Sequence, residues 1–121
     1  MHLYHFSLYC SVFENIVEYL EESFHIICDY LEITTEIILS SQIKKDNNLK
    51  GQDKVLEICQ LLNADEYYNA IGGKALYSYA DFKEKNINLK FLRTDDISYE
   101  QFNNEFQKDL SIIDVLMFNS R

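Results

Sequence analysis

The sequence predicts one α/β domain in which a small mixed or parallel sheet is flanked by helices. Three observations lead to this prediction. The chain of 121 residues has room for one hydrophobic core and no room for two. Hydrophobic residues make up 47% of it and charged residues 26%, as in ordinary globular domains. Helix-like and strand-like patterns alternate along it, which is the order expected when crossover helices join parallel strands.

The first predicted elements are a long amphipathic helix and a strand. Ser11 and Glu14 have the spacing of a capping box, which satisfies backbone amides at a helix start. The β-branched segment 34–39 (TTEIIL) predicts a buried strand that ends at Ser40. Between them, to about Glu32, hydrophobic residues recur with the spacing of one buried helical face: Phe13, Ile16, Val17, Leu20, Phe24, Ile27, Cys28 and Leu31.

The middle of the chain predicts a loop, a helix and a strand. The polar segment 42–52 predicts the loop. Asp53 is then expected to cap a second helix that extends to about Asn63. Residues 67–70 predict a short strand, and the glycines in the segment 71–73 after it predict a turn with positive φ angles.

The last third of the chain predicts one more strand and three helices. A short helix is expected near residues 81–85. Hydrophobic and polar residues alternate over 87–92, which predicts a half-buried strand. The capping-box spacing recurs from Ser98 to Gln101 and at residues 111–114, and each occurrence predicts a helix start.

The charge of the chain restricts its partners. Twenty acidic and eleven basic residues give a net charge of −9, which repels phosphate backbones and anionic lipid, so we predict no nucleic acid and no membrane partner. Residues 1–43 contain seven acidic residues and no Lys or Arg, which indicates either a solvated helix face or a surface for a basic partner. The first ten residues lack the basic start and apolar run of a secretory signal, which predicts a cytoplasmic protein.

The cysteines and histidines predict no metal site. Cys10, Cys28 and Cys59 are widely spaced without a CxxC pair, so we expect reduced thiols. His25 and Cys28 lie on the same helical side as Glu21, but this arrangement fits a hydrophobic helix face better than a set of metal ligands. The sequence contains no dinucleotide fingerprint and no phosphate loop, so no cofactor is assigned.

Asp114 and a pair of serines are the first candidates for chemistry. Asp114 lies in the hydrophobic run LSIIDVLMF, where a buried carboxylate would suit a general acid or base. The alternative is that Asp114 caps the helix start at Ser111. Ser40 and Ser41 follow the predicted strand, where they either face a ligand or form a turn.

Glycines and tyrosines offer further ligand contacts. Gly72, Gly73 and Lys74 form either an ordinary turn or a concavity of amides for a phosphate or carboxylate. Five tyrosines can contact a sugar or another flat ligand, or can lie at the edge of the core: Tyr67, Tyr68, Tyr77, Tyr79 and Tyr99.

Several motifs in a fixed order resemble the C-terminal half of the WbqC-like family. They are ILSS, KVLEICQLLNADEYYNAIGGKALY, FKEKNINLKFL, SYEQFNNEF and LSIIDVLMFN. The resemblance is clear over about residues 36–119 and leaves residues 1–11 unplaced. Family members carry a further N-terminal half, so we expect this chain to be incomplete without it.

The resemblance implies a role in bacterial surface-polysaccharide (O-antigen, lipopolysaccharide) biosynthesis, as a transferase-related protein with a ligand such as a nucleotide sugar. It implies Asp114 and Ser41 as catalytic residues. It also implies five ligand-binding residues, whose amides or side chains would contact anionic groups and hydroxyls: Ser40, Asn69, Gly72, Gly73 and Tyr77. The alternatives are a non-catalytic assembly subunit, bound to an N-terminal-half partner or to itself, and a truncated gene product without activity.

Overall fold

The computed structural model describes residues 15–119. The chain divides into two compact units, one ending at Ile37 and the other beginning at Ile38. Each unit has its own secondary structure, and the two are described in turn.

The first unit contains helix α1, Ile16–Tyr30. Asn15 caps it, because its Oδ1 accepts hydrogen bonds from the backbone amides of Val17 (3.0 Å) and Glu18 (3.1 Å). Asn15 Nδ2 also donates to Glu18 Oε1 at 2.6 Å. The predicted amphipathic helix is therefore present and begins at Ile16, while the predicted cap at Ser11 and Glu14 lies outside the described residues.

The second unit opens with short helical segments. A single 3-10 turn, Ser40–Gln42, precedes the loop, and helix α2 spans Gly51–Leu61. Asp53 does not cap α2 as predicted, because the helix begins two residues earlier, after Lys50. Asp53 lies in the first turn instead, where its carboxylate still interacts favourably with the helix dipole.

Two parallel strands and their connection form the centre of the second unit. Strand β1 spans Glu66–Ala70 and strand β2 spans Asn88–Leu92. They pair in parallel, with Glu66 opposite Asn88 and Ala70 opposite Leu92. The connection contains a 3-10 helix, Ile71–Leu76, and helix α3, Tyr79–Glu84. Both strands and α3 were predicted from the sequence within one or two residues, and the arrangement is α/β as expected.

The hydrophobic core covers one face of this sheet. Among residues 15–119, five hydrophobic residues are buried in it, and they come from α2, α3 and β2 or the position just before β2: Leu56, Cys59, Phe82, Ile87 and Leu89. Tyr67 and Asn69 alternate with exposed neighbours along β1, so their side chains lie on the inner face. Tyr67 packs on this core, and its ring stacks on that of Phe82 at 5.5 Å.

The other face of the sheet is exposed and polar. Glu66 and Lys90 form an ion pair there, and the hydroxyl of Tyr68 donates to Glu66 Oε2 at 2.6 Å. The hydrogen bond from Lys90 lowers the pKa of Glu66. An ion pair this exposed contributes little to stability.

Three sequence predictions about local structure are wrong. Residues 34–39 are not a strand, because β1 and β2 pair with each other and no third strand is present among residues 15–119. Gly72 and Gly73 have no positive φ angle, since they continue β1 into a 3-10 helix instead of a turn. The segment after Ser98 is not helical.

The last predicted helix is confirmed. Helix α4 spans Ile112–Phe118, and the Ser111 hydroxyl accepts a hydrogen bond from the amide of Ile113 at 3.2 Å. The backbone amide of Asp114 donates to the Ser111 carbonyl at 2.9 Å. The side chain of Asp114 is thus left for other partners.

Candidate functional site

The Asp114 carboxylate accepts two hydrogen bonds from the segment that precedes α4. The Tyr99 hydroxyl donates to Asp114 Oδ2 at 2.6 Å, and Gln101 Nε2 donates to the same oxygen at 2.8 Å. Among residues 15–119 nothing donates to Oδ1. Asp114 therefore does not cap its own helix with its side chain, and one carboxylate oxygen can accept a hydrogen bond from a ligand.

Gln101 is the residue that fixes this arrangement. Its side chain is buried, with 6% of its surface exposed. Its Oε1 accepts from the amide of Gln107 at 2.7 Å, and its Nε2 also donates to the Gln107 carbonyl at 3.2 Å. Because all of these bonds use one amide group, the position of Gln101 sets the positions of both Gln107 and Asp114.

A strained turn brings an aromatic ring to the same place. The amide of Asn104 donates to the Gln101 carbonyl at 2.9 Å, and the residues between them, Phe102 and Asn103, have φ angles of 49° and 59°. Two successive left-handed residues are typical of a type I′ turn, which favours glycine or asparagine and is costly for phenylalanine. The Phe102 ring packs against that of Phe118 at 4.5 Å, and 75% of the residue remains exposed.

These residues line an open depression with a volume of about 180 Å³. Its wall combines hydrophobic surface with amide and carboxylate groups: Gln101, Phe102, Asn104, Glu105, Gln107, Leu110, Asp114 and Phe118. Ligand pockets commonly combine apolar surface with a few polar groups in this way. The depression is smaller than the ~300–1,000 Å³ typical of drug-sized ligands, so it can hold only part of such a molecule.

The electrostatics of the cluster keep the Tyr99 proton in place. The hydrogen bond to the Asp114 carboxylate raises the pKa of Tyr99, because a phenolate beside a carboxylate is disfavoured. The Tyr99 ring also packs edge-on against Phe106, with centroids 5.0 Å apart. Tyr99 is therefore a hydrogen-bond donor to Asp114 over the physiological pH range.

The predicted ligand-binding residues around β1 form a second group. An ideal Cβ placed on Gly73 would lie 3.0 Å from Asn69 Nδ2, so the Asn69 side chain lies directly over this glycine. Asn69 Oδ1 accepts from the amide of Ala70 at 2.7 Å. The hydroxyls of Tyr67 and Tyr77 are 3.4 Å apart, and both rings pack against Phe82. Gly72 has nothing within 4 Å of its ideal Cβ and faces open space.

Ser40 and Ser41 lie in the exposed 3-10 turn before the loop. The Ser40 carbonyl accepts a hydrogen bond from Lys45 Nζ, and neither serine lines the depression beside Asp114. The structure thus places the predicted residues in three groups: the serines, the Asn69–Gly73–Tyr77 region, and Asp114.

Sequence reasoning missed Gln101 as a site residue. Its polar side chain follows Ser98 by three positions, and this spacing was interpreted as a helix cap. Tyr99 was noted as a ligand-contacting tyrosine, but its bond to Asp114 spans fifteen positions and has no local sequence signal. The Asp114 carboxylate within a hydrophobic run was the one clear sequence signal for this candidate site.

The described residues contain neither a metal cluster nor a membrane span. Among residues 15–119, no group of three His, Cys, Asp or Glu side chains is placed to hold a metal ion. Helices in this part of the chain are too short or too polar to cross a bilayer.

The fold makes this an α/β protein with a small parallel sheet. Its candidate binding site is the depression beside Asp114, which is lined by polar and aromatic side chains. The chain belongs to the WbqC-like protein family, whose model matches residues 5–121. The match extends further towards the N-terminus than the motifs noted in the sequence. No curated protein matched the chain in a sequence comparison, and no solved structure matched it either.

Proposed function

We propose that this WbqC-like protein acts in the cytoplasm of a bacterium in surface-polysaccharide (O-antigen) biosynthesis, as a transferase-related protein that binds an activated sugar beside Asp114. The observation that supports this proposal is the position of the Asp114 carboxylate at an open depression. Tyr99 and Gln101 donate to its Oδ2, so its Oδ1 can accept a hydrogen bond from a ligand. The family membership supports the choice of pathway.

The lining of the depression supports a hydroxyl-rich ligand. The exposed Phe102 ring offers a flat hydrophobic surface on which a sugar ring can stack. Asn104 and Glu105 offer hydrogen-bonding groups at the rim, beside Asp114. Because the depression is small, we expect it to bind a single sugar ring of a nucleotide sugar and to leave the nucleotide outside.

Asp114 is the residue that we propose as the general base. In the proposed transfer, an acceptor hydroxyl oxygen forms a bond to the anomeric carbon of the sugar. The bond from that carbon to the nucleoside diphosphate breaks, and the diphosphate leaves with the electron pair. The hydroxyl proton passes to Asp114. Ser41 was also predicted to be catalytic, and we include it as a second residue to test.

The test is a ligand-binding experiment with the full chain and a panel of nucleotide sugars. Thermal unfolding is followed by circular dichroism, and a bound sugar is expected to raise the melting temperature. Asp114→Asn should remove this shift, because it eliminates the charge while its amide oxygen can still accept from Tyr99 and Gln101. Release of nucleoside diphosphate upon addition of an acceptor would demonstrate the transfer step.

Asp95→Asn is the matched control, because Asp95 is exposed in the same nonhelical segment and does not line the depression. It should keep the ligand-induced shift unchanged. If no nucleotide sugar stabilises the parent chain, or if Asp114→Asn responds as the parent does, the site assignment is wrong. Ser41→Ala, assayed in parallel, decides whether the exposed serine turn contributes to the same site.

A further inference from the structure

Helix α1 exposes a continuous hydrophobic stripe. None of its fifteen residues is buried among the described residues. Val17, Leu20 and Phe24 are 48%, 45% and 56% exposed, and Ile27 and Leu31 continue the same three- and four-residue spacing. Side chains with this spacing lie along one side of a helix, in the pattern that helices use to pack against another helix.

The charged residues of α1 are all acidic. The segment 15–37 contains no Lys and no Arg, and His25 is its one titratable nitrogen base. At 3.6 residues per turn, Glu18 and Asp29 lie opposite the stripe. Glu22 lies opposite the stripe as well, whereas Glu21 follows Val17 by one turn and borders the hydrophobic surface on one side.

We propose that α1 docks a basic amphipathic helix of another protein. The hydrophobic side of that helix would cover Val17, Leu20 and Phe24, and a Lys or Arg side chain at its edge would pair with Glu21. Charges that border a helix–helix seam determine which partner is accepted. The charge of α1 therefore selects a partner that carries the opposite charge.

The same charges disfavour two other occupants of this surface. A second copy of α1 would bring another acidic helix against the first, and it has no Lys or Arg with which to pair Glu21. A bilayer that contains anionic lipid would repel the acidic side, whereas helices that lie on membranes are usually rich in Lys and Arg. Both remain distinguishable outcomes of the experiment below.

The experiment measures the binding of two designed peptides to the full chain by fluorescence anisotropy. Both peptides have the length of α1 and a leucine stripe, which is bordered by lysines in one peptide and by glutamates in the other. The lysine peptide should bind at least about tenfold more tightly, since its lysines pair with Glu21 at a hydrophobic seam where the glutamate peptide would place a like charge. Its affinity should fall as salt is added, because salt screens these pairs.

Three variants locate the binding surface. Phe24→Glu should weaken binding of the lysine peptide at least about tenfold by placing a charge in the stripe. Glu21→Lys should reverse the preference in favour of the glutamate peptide. Leu76→Glu is the matched control, because Leu76 is 75% exposed in the second unit and its substitution should leave binding unchanged.

Several results would overturn the proposal. These are equal affinities for the two peptides, absence of binding, or a charge-reversed variant with the preference of the parent. Concentration-dependent dimerisation of the parent chain that Phe24→Glu abolishes would instead assign the stripe to a second copy. If Phe24→Glu fails to fold, the charge-reversed variant still decides, because its substitution lies outside the stripe.

Discussion

Both polar atoms of the Gln101 side-chain amide form hydrogen bonds within the protein. Its two polar atoms bond to the backbone of Gln107 and to the Asp114 carboxylate while the residue is 6% exposed. We predict that Gln101→Ala lowers the free energy of unfolding by about 1–3 kcal/mol, because it leaves buried groups without partners. Urea denaturation measures the difference, and the exposed Gln60→Ala, on helix α2, should be nearly neutral.

Gly72 and Gly73 give a second prediction at the scale of single residues. Neither has a positive φ angle, so alanine is compatible with the backbone at both positions. Gly72→Ala should stabilise the protein by about 0.4–1 kcal/mol through the entropy of the unfolded chain. Gly73→Ala should lose this gain, because its Cβ would lie 3.0 Å from Asn69 Nδ2 and displace that side chain. Equal denaturation midpoints for the two variants would contradict the contact.

Tyr67 predicts how stability depends on alkaline pH. Burial, followed by the hydrogen bond with Tyr77, raises the pKa of Tyr67 above its ordinary value. Its contribution to stability is complete below the unfolded-state pKa of about 10 and is lost as pH rises towards the higher folded-state pKa. The urea midpoint should therefore fall above about pH 10, and it should fall less steeply in Tyr67→Phe. A Tyr79→Phe variant with the same reduced slope would show that Tyr67 is not the cause.

The candidate site was only partly predictable from single residues. Asp114 stood out because a carboxylate within a hydrophobic run needs a partner or a function. Its partners did not stand out, because a glutamine and a tyrosine are common surface residues. Gln101 is buried only because the chain turns at Phe102 and Asn103, two residues whose left-handed conformation no sequence pattern indicated.

At the scale of elements, helix α3 carries the largest fully buried side chain. Phe82 is 0% exposed and packs against the rings of Tyr67 and Tyr77, with centroids at 5.5 and 5.9 Å. We predict that Phe82→Ala costs about 3–5 kcal/mol, because it opens a cavity in a core to which residues 15–119 contribute five buried hydrophobic residues. Chemical denaturation checks this value. Leu76→Ala removes an exposed leucine and should cost no more than about 0.5 kcal/mol.

Helices α1, α2 and α3 end in the same way, and the sequence held part of the signal. A left-handed residue, Glu32, Asn63 or Asn86, follows each C-cap residue, and the next amide donates to a carbonyl five positions earlier at 2.8–2.9 Å. Asparagine is a usual residue there, so two of these ends could be placed from the sequence. Glutamate is not usual at this position, so Glu32 gave no signal for the end of α1. That end was predicted from the hydrophobic pattern of the helix instead.

The strand prediction for residues 34–39 failed for a reason that lies beyond the element itself. Isoleucine and threonine favour extended backbone, and residues 33–39 contain no helix or turn. A strand also needs a neighbour that pairs with it, and β1 and β2 pair with each other. Local composition predicts an extended conformation well, but it does not predict which segments pair.

At the scale of the whole molecule, charge and core are unevenly distributed. The acidic residues without basic neighbours lie in the first unit, whereas the buried residues found among residues 15–119 belong to the second. The α/β class was predictable because the helices and the two strands of the second unit have clear periodicities. The division at residues 37 and 38 was not, since no glycine or proline lies there and the first basic residue, Lys44, comes six positions later.

The confinement of the core to the stretch from Leu56 to Leu89 determines where backbone amides exchange with heavy water. Amides of β1, β2 and α3 should be the slowest, because their hydrogen bonds break only when the core opens. Amides of α1 and α4, which have no buried residue, should exchange through local fraying long before global unfolding. Hydrogen exchange measured by mass spectrometry on peptides from each element should be slow in α3 and the two strands and fast in α1 and α4. Binding of a basic helix to α1 would then appear as protection gained at the N-terminal end alone.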